Sequence, residues 1–365
     1  MALNEQPDDA RRRAQVIGTG LIGGSVALAL QAQGWFVTGS DANAQAEALA
    51  LELGAINAVG IDRSAEVCFV ALPVGLIADT ANELLAMEGT DWVVTDVGSV
   101  KASIAEAVRH PRFIGGHPMA GSEIEGVRGS RADMFAGATW VLTPSETTDP
   151  LAHILIHTIV AGFDAEILTL APDLHDRLVA MVSHVPHLTA VTLMGLASER
   201  AQQDDQRALL RLAAGGFRDM TRIAAGHPGI WPDICAENRD AILEILDALI
   251  AELSAVRNVV DDGNRPGLLA RLERARDARL NLPTTAGPPE ELVELQITVQ
   301  DRPGELATVT TMATELQVNI FDIEISHSAE RPRGLLALVV DAAKAPAFVE
   351  RLIADGYAVS QRGLQ

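Results

Sequence analysis

The segment Gly115-Gly116-His117-Pro118-Met119-Ala120-Gly121-Ser122-Glu123 sets a histidine between two glycines and a proline, at the end of a predicted strand. Glycine leaves room around the ring and proline fixes the backbone beyond it, a setting that suits neither a helix nor a packed core. An unperturbed imidazole titrates near pH 6.5 (roughly), which fits proton exchange close to neutrality. Upstream, Asp96-Val97-Gly98-Ser99-Val100-Lys101 follows another predicted strand. The Ser99 hydroxyl there would face a ligand in the crevice beyond the strand ends, or cap the following helix; the residues allow both. Ser183-His184-Val185-Pro186-His187 carries two histidines across a proline. Zinc is one chemistry for such a pair, but no third or fourth ligand follows in sequence, so no metal is expected.

A second constellation is made of glycines. Val16-Ile17-Gly18-Thr19-Gly20-Leu21-Ile22-Gly23-Gly24-Ser25 contains G-x-G-x-x-G after a predicted strand and at the opening of a helix, with Asp41 closing the next strand. This is the setting of a dinucleotide fingerprint. Gly18 permits the tight turn, Gly20 lets backbone approach a pyrophosphate, and Gly23 lets the helix sit close to the sheet. The amides of Leu21 and Ile22 then hold phosphates without a basic side chain. Asp41 would accept from the adenine ribose hydroxyls. It is followed by Ala42, Asn43 and Ala44, with no arginine to meet a 2′-phosphate, so NAD is favoured over NADP.

The elements that must position these groups can be read from the pattern. Strands are predicted at Ala14–Gly18, Phe36–Ser40, Val67–Leu72, Trp92–Asp96, Thr139–Thr143 and Ala165–Thr169, with helices at Leu21–Gln33, Ala44–Leu53 and Ile77–Met87 between the early ones. Unbroken apolar runs such as Cys68–Leu72 suit a parallel sheet covered on both faces, and the alternation is that of a doubly wound Rossmann-like α/β domain over 14–171. Apolar residues recur at helical spacing over 172–281, with Pro186 and Pro228 as punctuation, predicting an all-helical domain. Residues 282–291 are proline- and threonine-rich and read as a linker. Residues 292–365 show strand, helix, strand, strand, helix, strand, a ferredoxin-like order.

Composition narrows the function further. Lys and Arg number 28 against 49 for Asp and Glu, a net charge of −21, which repels polyanions and excludes nucleic acid as a natural partner. Two cysteines, Cys68 and Cys235, are too few for a disulfide framework. Residues 1–13 form a polar extension with Arg11, Arg12 and Arg13 and no apolar signal core, and no apolar run approaches the roughly 18 residues of a membrane span. A cytoplasmic protein is expected.

The strings VIGTGLIGGS, DVGSVK, GGHPMAGSE, SHVPH and GFRDMTRIA, in this order over most of 14–282, resemble the prephenate/arogenate dehydrogenase family. The resemblance implies oxidation of a cyclohexadienol at its 4-hydroxyl with loss of the ring carboxylate, His117 acting on the hydroxyl proton and hydride leaving for NAD. It implies Arg222 as a carboxylate clamp, since a guanidinium binds a carboxylate through two parallel N–H bonds. Glu123 and Asp219 are implied as partners that hold Arg222 or gate access when the site is empty. His187 and, less directly, His184 line the substrate pocket, with Trp231 closing it or packing at a helix start. Ala214 stands where relatives often have another glycine. His187 favours prephenate over arogenate, and a homodimer is expected.

Residues 299–306 (VQDRPGEL) and 318–323 (VNIFDI) resemble an ACT domain, in which Gly304 would admit an amino-acid effector and Asn319 would bond it; tyrosine is the implied effector. A domain that only dimerises is the plain alternative. Two rivals stand beside the dehydrogenase reading. A β-hydroxyacid dehydrogenase shares the architecture but needs a helical-domain lysine, and 173–280 contains none. A non-catalytic cofactor and amino-acid sensor would have no use for His117, Ser99 and Arg222 together.

Overall fold

The computed structural model describes residues 11–122, 124–201, 209–281, 292–300, 302–327 and 333–363. The chain divides into two compact units, residues 1–250 and 251–365.

In the first unit, β1 (Arg13–Ile17), α1 (Leu21–Ala32), β2 (Phe36–Ser40), α2 (Ala44–Glu52), β3 (Ala58–Val59), β4 (Val67–Val70), α3 (Val74–Leu85), β5 (Val93–Asp96), α4 (Ala102–Ala107), β6 (Phe113–Pro118), β7 (Thr139–Thr143), α5 (Pro150–Ala161) and β8 (Glu166–Thr169) build an eight-stranded sheet. Its order is β3-β2-β1-β4-β5-β6-β7-β8. The first six strands are parallel and run in the Rossmann order, with the topological switch between β1 and β4. β7 then pairs antiparallel with β6, and β8 lies parallel to β7, so the sheet is mixed beyond β6.

All four residues of β4 and of β5 are buried, as a strand covered on both faces must be. One face packs Val26, Leu30, Phe69, Phe135, Trp140 and Ile156. The other packs Val70, Ile77, Trp92 and Ile104 against Ala180, Val185, Ile234 and Ile242 of the helical segment. This second core presses the helical segment against the strand ends and so brings residues distant in sequence, such as Gly20, His117 and Asp233, to one site.

The helices of this unit are α6 (Pro172–Val179), α7 (Val185–Ala201), α8 (Gly215–Thr221), α9 (Trp231–Glu237) and the start of α10 (Arg239–Asp261); α11 (Arg265–Leu280) belongs to the second unit. Pro186 does not punctuate the segment as expected. A π-helical turn at Ala180–His184 joins α6 to α7, so Pro172–Ala201 is one helix of 30 residues. The wider turn relieves the clash between a proline ring and the carbonyl four residues earlier. It also corrects the expectation about apolar length: this helix is long and apolar enough, at a mean hydropathy of 1.4, to match a membrane span. Its buried polar side chains, His175, Asp176, His184 and His187, all belong to the site described below.

In the second unit, β9 (Leu292–Gln300), α12 (Glu305–Glu315), β10 (Ile320–His327), β11 (Arg333–Asp341), α13 (Ala345–Ala354) and β12 (Ala358–Gly363) form an antiparallel sheet of order β10-β11-β9-β12. Leu295, Ile297, Leu336 and Leu338 of the sheet pack under Val309, Met312, Phe348 and Leu352 of the two helices. Alternation along β9 leaves its other face more exposed.

Candidate active site

The glycine loop has the geometry a dinucleotide needs. Gly18 has φ +90°, and a β-carbon there would lie 2.2 Å from the Ala71 carbonyl oxygen. A β-carbon on Gly23 would stand 1.9 Å from the Gly18 oxygen, so the helix could not approach the strand with any side chain there. A β-carbon on Gly20 would meet nothing within 4 Å, and this residue caps α1 without any side-chain bond, leaving the Leu21 and Ile22 end of the helix open to an anion.

Asp41 accepts from the Thr19 amide at 2.7 Å, the Thr19 hydroxyl at 3.2 Å and the Asn43 amide at 2.9 Å. It is thus fastened to the loop with acceptor capacity remaining for a ribose hydroxyl. Glu47, in the first turn of α2, accepts from the Asp41 amide at 3.3 Å, which adds a second acid beside Asp41. These residues fit NAD.

A cleft of about 360 Å³ joins Gly20–Gly23 to Ser99 and His117. Ser99 does not cap the next helix: α4 begins three residues later, with Lys101 as its N-cap and no side-chain bond. The hydroxyl is therefore left to the cleft. His117 is at the end of β6, 8% exposed, with its ring held from behind. Its Nδ1 is 2.8 Å from His175 Nε2, and His175 Nδ1 is 2.7 Å from Asp176 Oδ1.

Asp176 accepts further bonds from the amides of Lys101 and Ala102, both at 2.8 Å, so the start of α4 fixes its carboxylate. The protons follow from one end of this chain. Asp176 only accepts, so His175 donates from Nδ1 and accepts at Nε2. His117 must then donate from Nδ1, and its Nε2 keeps a lone pair. Burial, with His175, Lys101 and His184 adding to it, holds the His117 pKa well below the ordinary histidine value. The ring is a neutral acceptor at neutral pH.

Lys101 is buried beneath this chain. Its Nζ donates to Asp96 and, at 2.8 Å, to the Gly116 carbonyl next to His117. Asp96 in turn accepts from the Gly98 and Gly116 amides at 2.9 and 3.2 Å. Burial lowers the Lys101 pKa, and the charge of Asp96 opposes that shift.

On the helical side, Asn238 donates to the Asp176 carbonyl at 2.9 Å and lies 3.2 Å from His184 Nδ1. The ring of His184 meets Trp231 edge-on at 6.1 Å, while His187 stacks on Trp231 at 3.6 Å. The two histidines thus share Trp231, one meeting its edge and the other its face. Arg222 is exposed and lines a neighbouring cavity with Gly121, Ser122 and Gly226, beside the turn that follows His117. The ring of His187 reaches to 3.5 Å of the β-carbon position at Gly226, on the margin of that cavity. Asp219 is exposed on α8 and lines neither space; Glu123 lies outside the described residues.

The prephenate dehydrogenase nucleotide-binding domain family matches residues 26–169, and the prephenate dehydrogenase dimerization domain family matches 171–274. A prephenate dehydrogenase of Bacillus subtilis is 33% identical over 88% of this chain and 90% of its own. The chain belongs to the prephenate dehydrogenase family.

Solved structures agree. A prephenate dehydrogenase of Aquifex aeolicus, solved with hydroxyphenyl propionate and NAD+, superposes with a TM-score of 0.70 at 27% identity, covering 75% of this chain and 99% of that one. A Synechocystis arogenate dehydrogenase gives 0.64 at 28%, covering 73% and 98%. In this family member Ala214 caps α8 with an extended backbone, φ −87°, so glycine is not required there.

Sequence reasoning passed over His175, Asp176, Lys101, Asn238 and Asp233. The first two were visible only as a His-Asp pair in the first turns of a helix, and Lys101 only as the end of DVGSVK. In the second unit, Gly304 has φ +95° and caps α12, and Asn319 is exposed before β10. A polar cavity of about 300 Å³ in that unit is lined instead by Arg302, Glu305 and Tyr357, with Glu305 accepting from the other two at 2.5 and 2.9 Å.

Proposed function

We propose that this enzyme carries out the NAD-dependent oxidative decarboxylation of prephenate to 4-hydroxyphenylpyruvate, with His117 as the base. The observation that carries the assignment is the chain Asp176–His175–His117, which leaves a basic Nε2 beside Ser99 in the cleft that begins at the glycine loop. His117 takes the proton of the 4-hydroxyl, and Ser99 orients that hydroxyl. The cofactor supplies a hydride acceptor for the same carbon. Loss of the ring carboxylate as carbon dioxide then yields an aromatic ring, so the protein needs no separate group for that step. Its task is alignment.

Arg222 is the carboxylate clamp in this reading. Its support is its position on the cavity next to the His117 turn, together with the two-pronged geometry of guanidinium. His187, braced by Trp231, borders the same cavity and is assigned to the substrate side chain, with His184 behind it; Asp219 and Glu123 are assigned to gating Arg222. Substrate choice is tested by comparing kcat/KM for prephenate and arogenate, with prephenate expected to be preferred. A clear preference for arogenate would make this an arogenate dehydrogenase using the same base.

Exposed Met181, Val182, Leu212 and Met220 on the helices support a homodimer. Free thiols at Cys68 and Cys235 accord with a cytoplasmic setting. The C-terminal unit is read as a ferredoxin-like ACT domain, supported by its βαββαβ order and β10-β11-β9-β12 sheet, and tyrosine as its effector through Gly304 and Asn319. Tyrosine is then expected to inhibit the full-length enzyme, and Asn319→Ala to weaken that inhibition. Full turnover at saturating tyrosine would remove the effector from the reading.

A further inference from the structure

Asp233 has no part in the chemistry above, yet its carboxylate lines the same cleft as Gly20–Gly23, Ser99 and His117. It sits in the first turn of α9, and its Oδ2 is 3.9 Å from where a β-carbon on Gly75 would stand, at the start of α3. Asp233 is exposed, so water solvates its carboxylate in the open cleft; when a dianion enters the same cleft, a positive charge close to Asp233 offsets the repulsion between them.

The sheet order says which ligand part lies nearby. Asp41 ends β2, the glycine loop follows β1, and α3 follows β4, on the other side of the switch point. A dinucleotide with its adenine ribose at Asp41 and its phosphates at Gly20 extends its other half past β4 towards His117. Asp233 therefore borders the nicotinamide half. The oxidised ring carries a positive charge that the reduced ring lacks, and the adjoining ribose offers two hydroxyl donors.

We propose that Asp233 is a cofactor-selecting residue, whose carboxylate favours the oxidised, cationic nicotinamide ring over the reduced, neutral one. The assignment rests on the dehydrogenase reading above. Selectivity of this kind would hold the substrate form of the cofactor and speed release of the product form.

Binding of NAD+ and of NADH to the full-length protein tests it directly, by calorimetry and by NADH fluorescence, with no turnover required. In Asp233→Asn, NAD+ affinity should fall by about fivefold, the scale of a partly exposed charge pair, with NADH affinity changed by less than about twofold. The wild-type preference should also shrink with added salt, and the variant's should not. Equal losses for the two forms would make Asp233 a packing residue and overturn the proposal, as would no loss for either. Failure of the wild type to bind either form would instead sink the dehydrogenase reading itself.

Discussion

His117 Nδ1 and His175 Nε2 stand 2.8 Å apart, with the two rings nearly edge to face at 75°. One nitrogen of the proposed base is thereby committed to the protein interior and the other is left for a ligand. The reactivity of His117 is set by a residue 58 positions away, and the predictions below follow from that arrangement.

Replacing His117 with asparagine keeps a polar side chain of similar reach but removes the basic nitrogen. Turnover should fall by about 10²- to 10⁴-fold, the usual contribution of a positioned base. NAD binding, measured separately, should be unchanged. Full activity in this variant would take His117 out of the mechanism.

Asp176→Asn tests the direction of the proton chain. An asparagine can present its amide to His175 Nδ1, which forces His175 to donate from Nε2 and His117 to accept at Nδ1. The proton of His117 then sits on Nε2, facing the substrate, and the base is lost. We expect kcat to fall by about 10²-fold or more with KM little changed, as tautomer reversal does in a comparable relay, and Tm to fall as well, because a buried amide of Lys101 or Ala102 loses its acceptor. A matching fall in Tm with kcat retained would make Asp176 structural only.

The pH profile follows from burial. Because the His117 pKa is held well below the ordinary value, the neutral ring persists on acidification, and kcat/KM should stay level through pH 6.5 before its acid limb begins. Protonation needs a proton to enter a cleft already made less hospitable to cations by Lys101. An acid limb centred at or above pH 6.5 would contradict this electrostatic picture.

Stability should carry a separate pH signature from His184, whose pKa burial lowers to about 4. Between about pH 6.5 and 4 the unfolded chain binds this proton and the folded chain does not. Stability is therefore complete above the unfolded value and declines as pH falls towards 4. The loss for this residue is on the order of 3 kcal/mol. Denaturant melts of wild type and His184→Gln over that range should diverge, the variant showing the shallower slope.

Arg222→Gln removes a charge-assisted pair worth roughly 1.5–3 kcal/mol. KM for the carboxylate substrate should rise by about ten- to a hundredfold, with a smaller effect on kcat. An unchanged KM would leave the neighbouring cavity without a role in substrate binding.

Much of this protein was legible residue by residue. Gly18 and Gly23 declare their loop because a left-handed turn and a close helix-to-strand contact are local demands that only glycine meets there, while Gly20 leaves open space for an approaching ligand. Strands β2 and β7 fall where β-branched and aromatic runs predict them, and α1 and α2 end within a residue of their predicted limits. His117, near the end of β6, and Ser99, just after β5, were likewise legible as residues that line the cleft beyond the strand ends.

What lay beyond the sequence depended on packing at long range. Nothing local tells β7 to run against β6, or tells Pro186 that a π turn will let the helix pass through it. His175 and Asp176 looked like the opening of one more helix until the second core pressed α6 against the strand ends and brought them behind His117. Neighbouring residues decide backbone conformation through sterics and short-range bonding. The partner that each buried polar side chain finds is decided only when distant apolar faces close together.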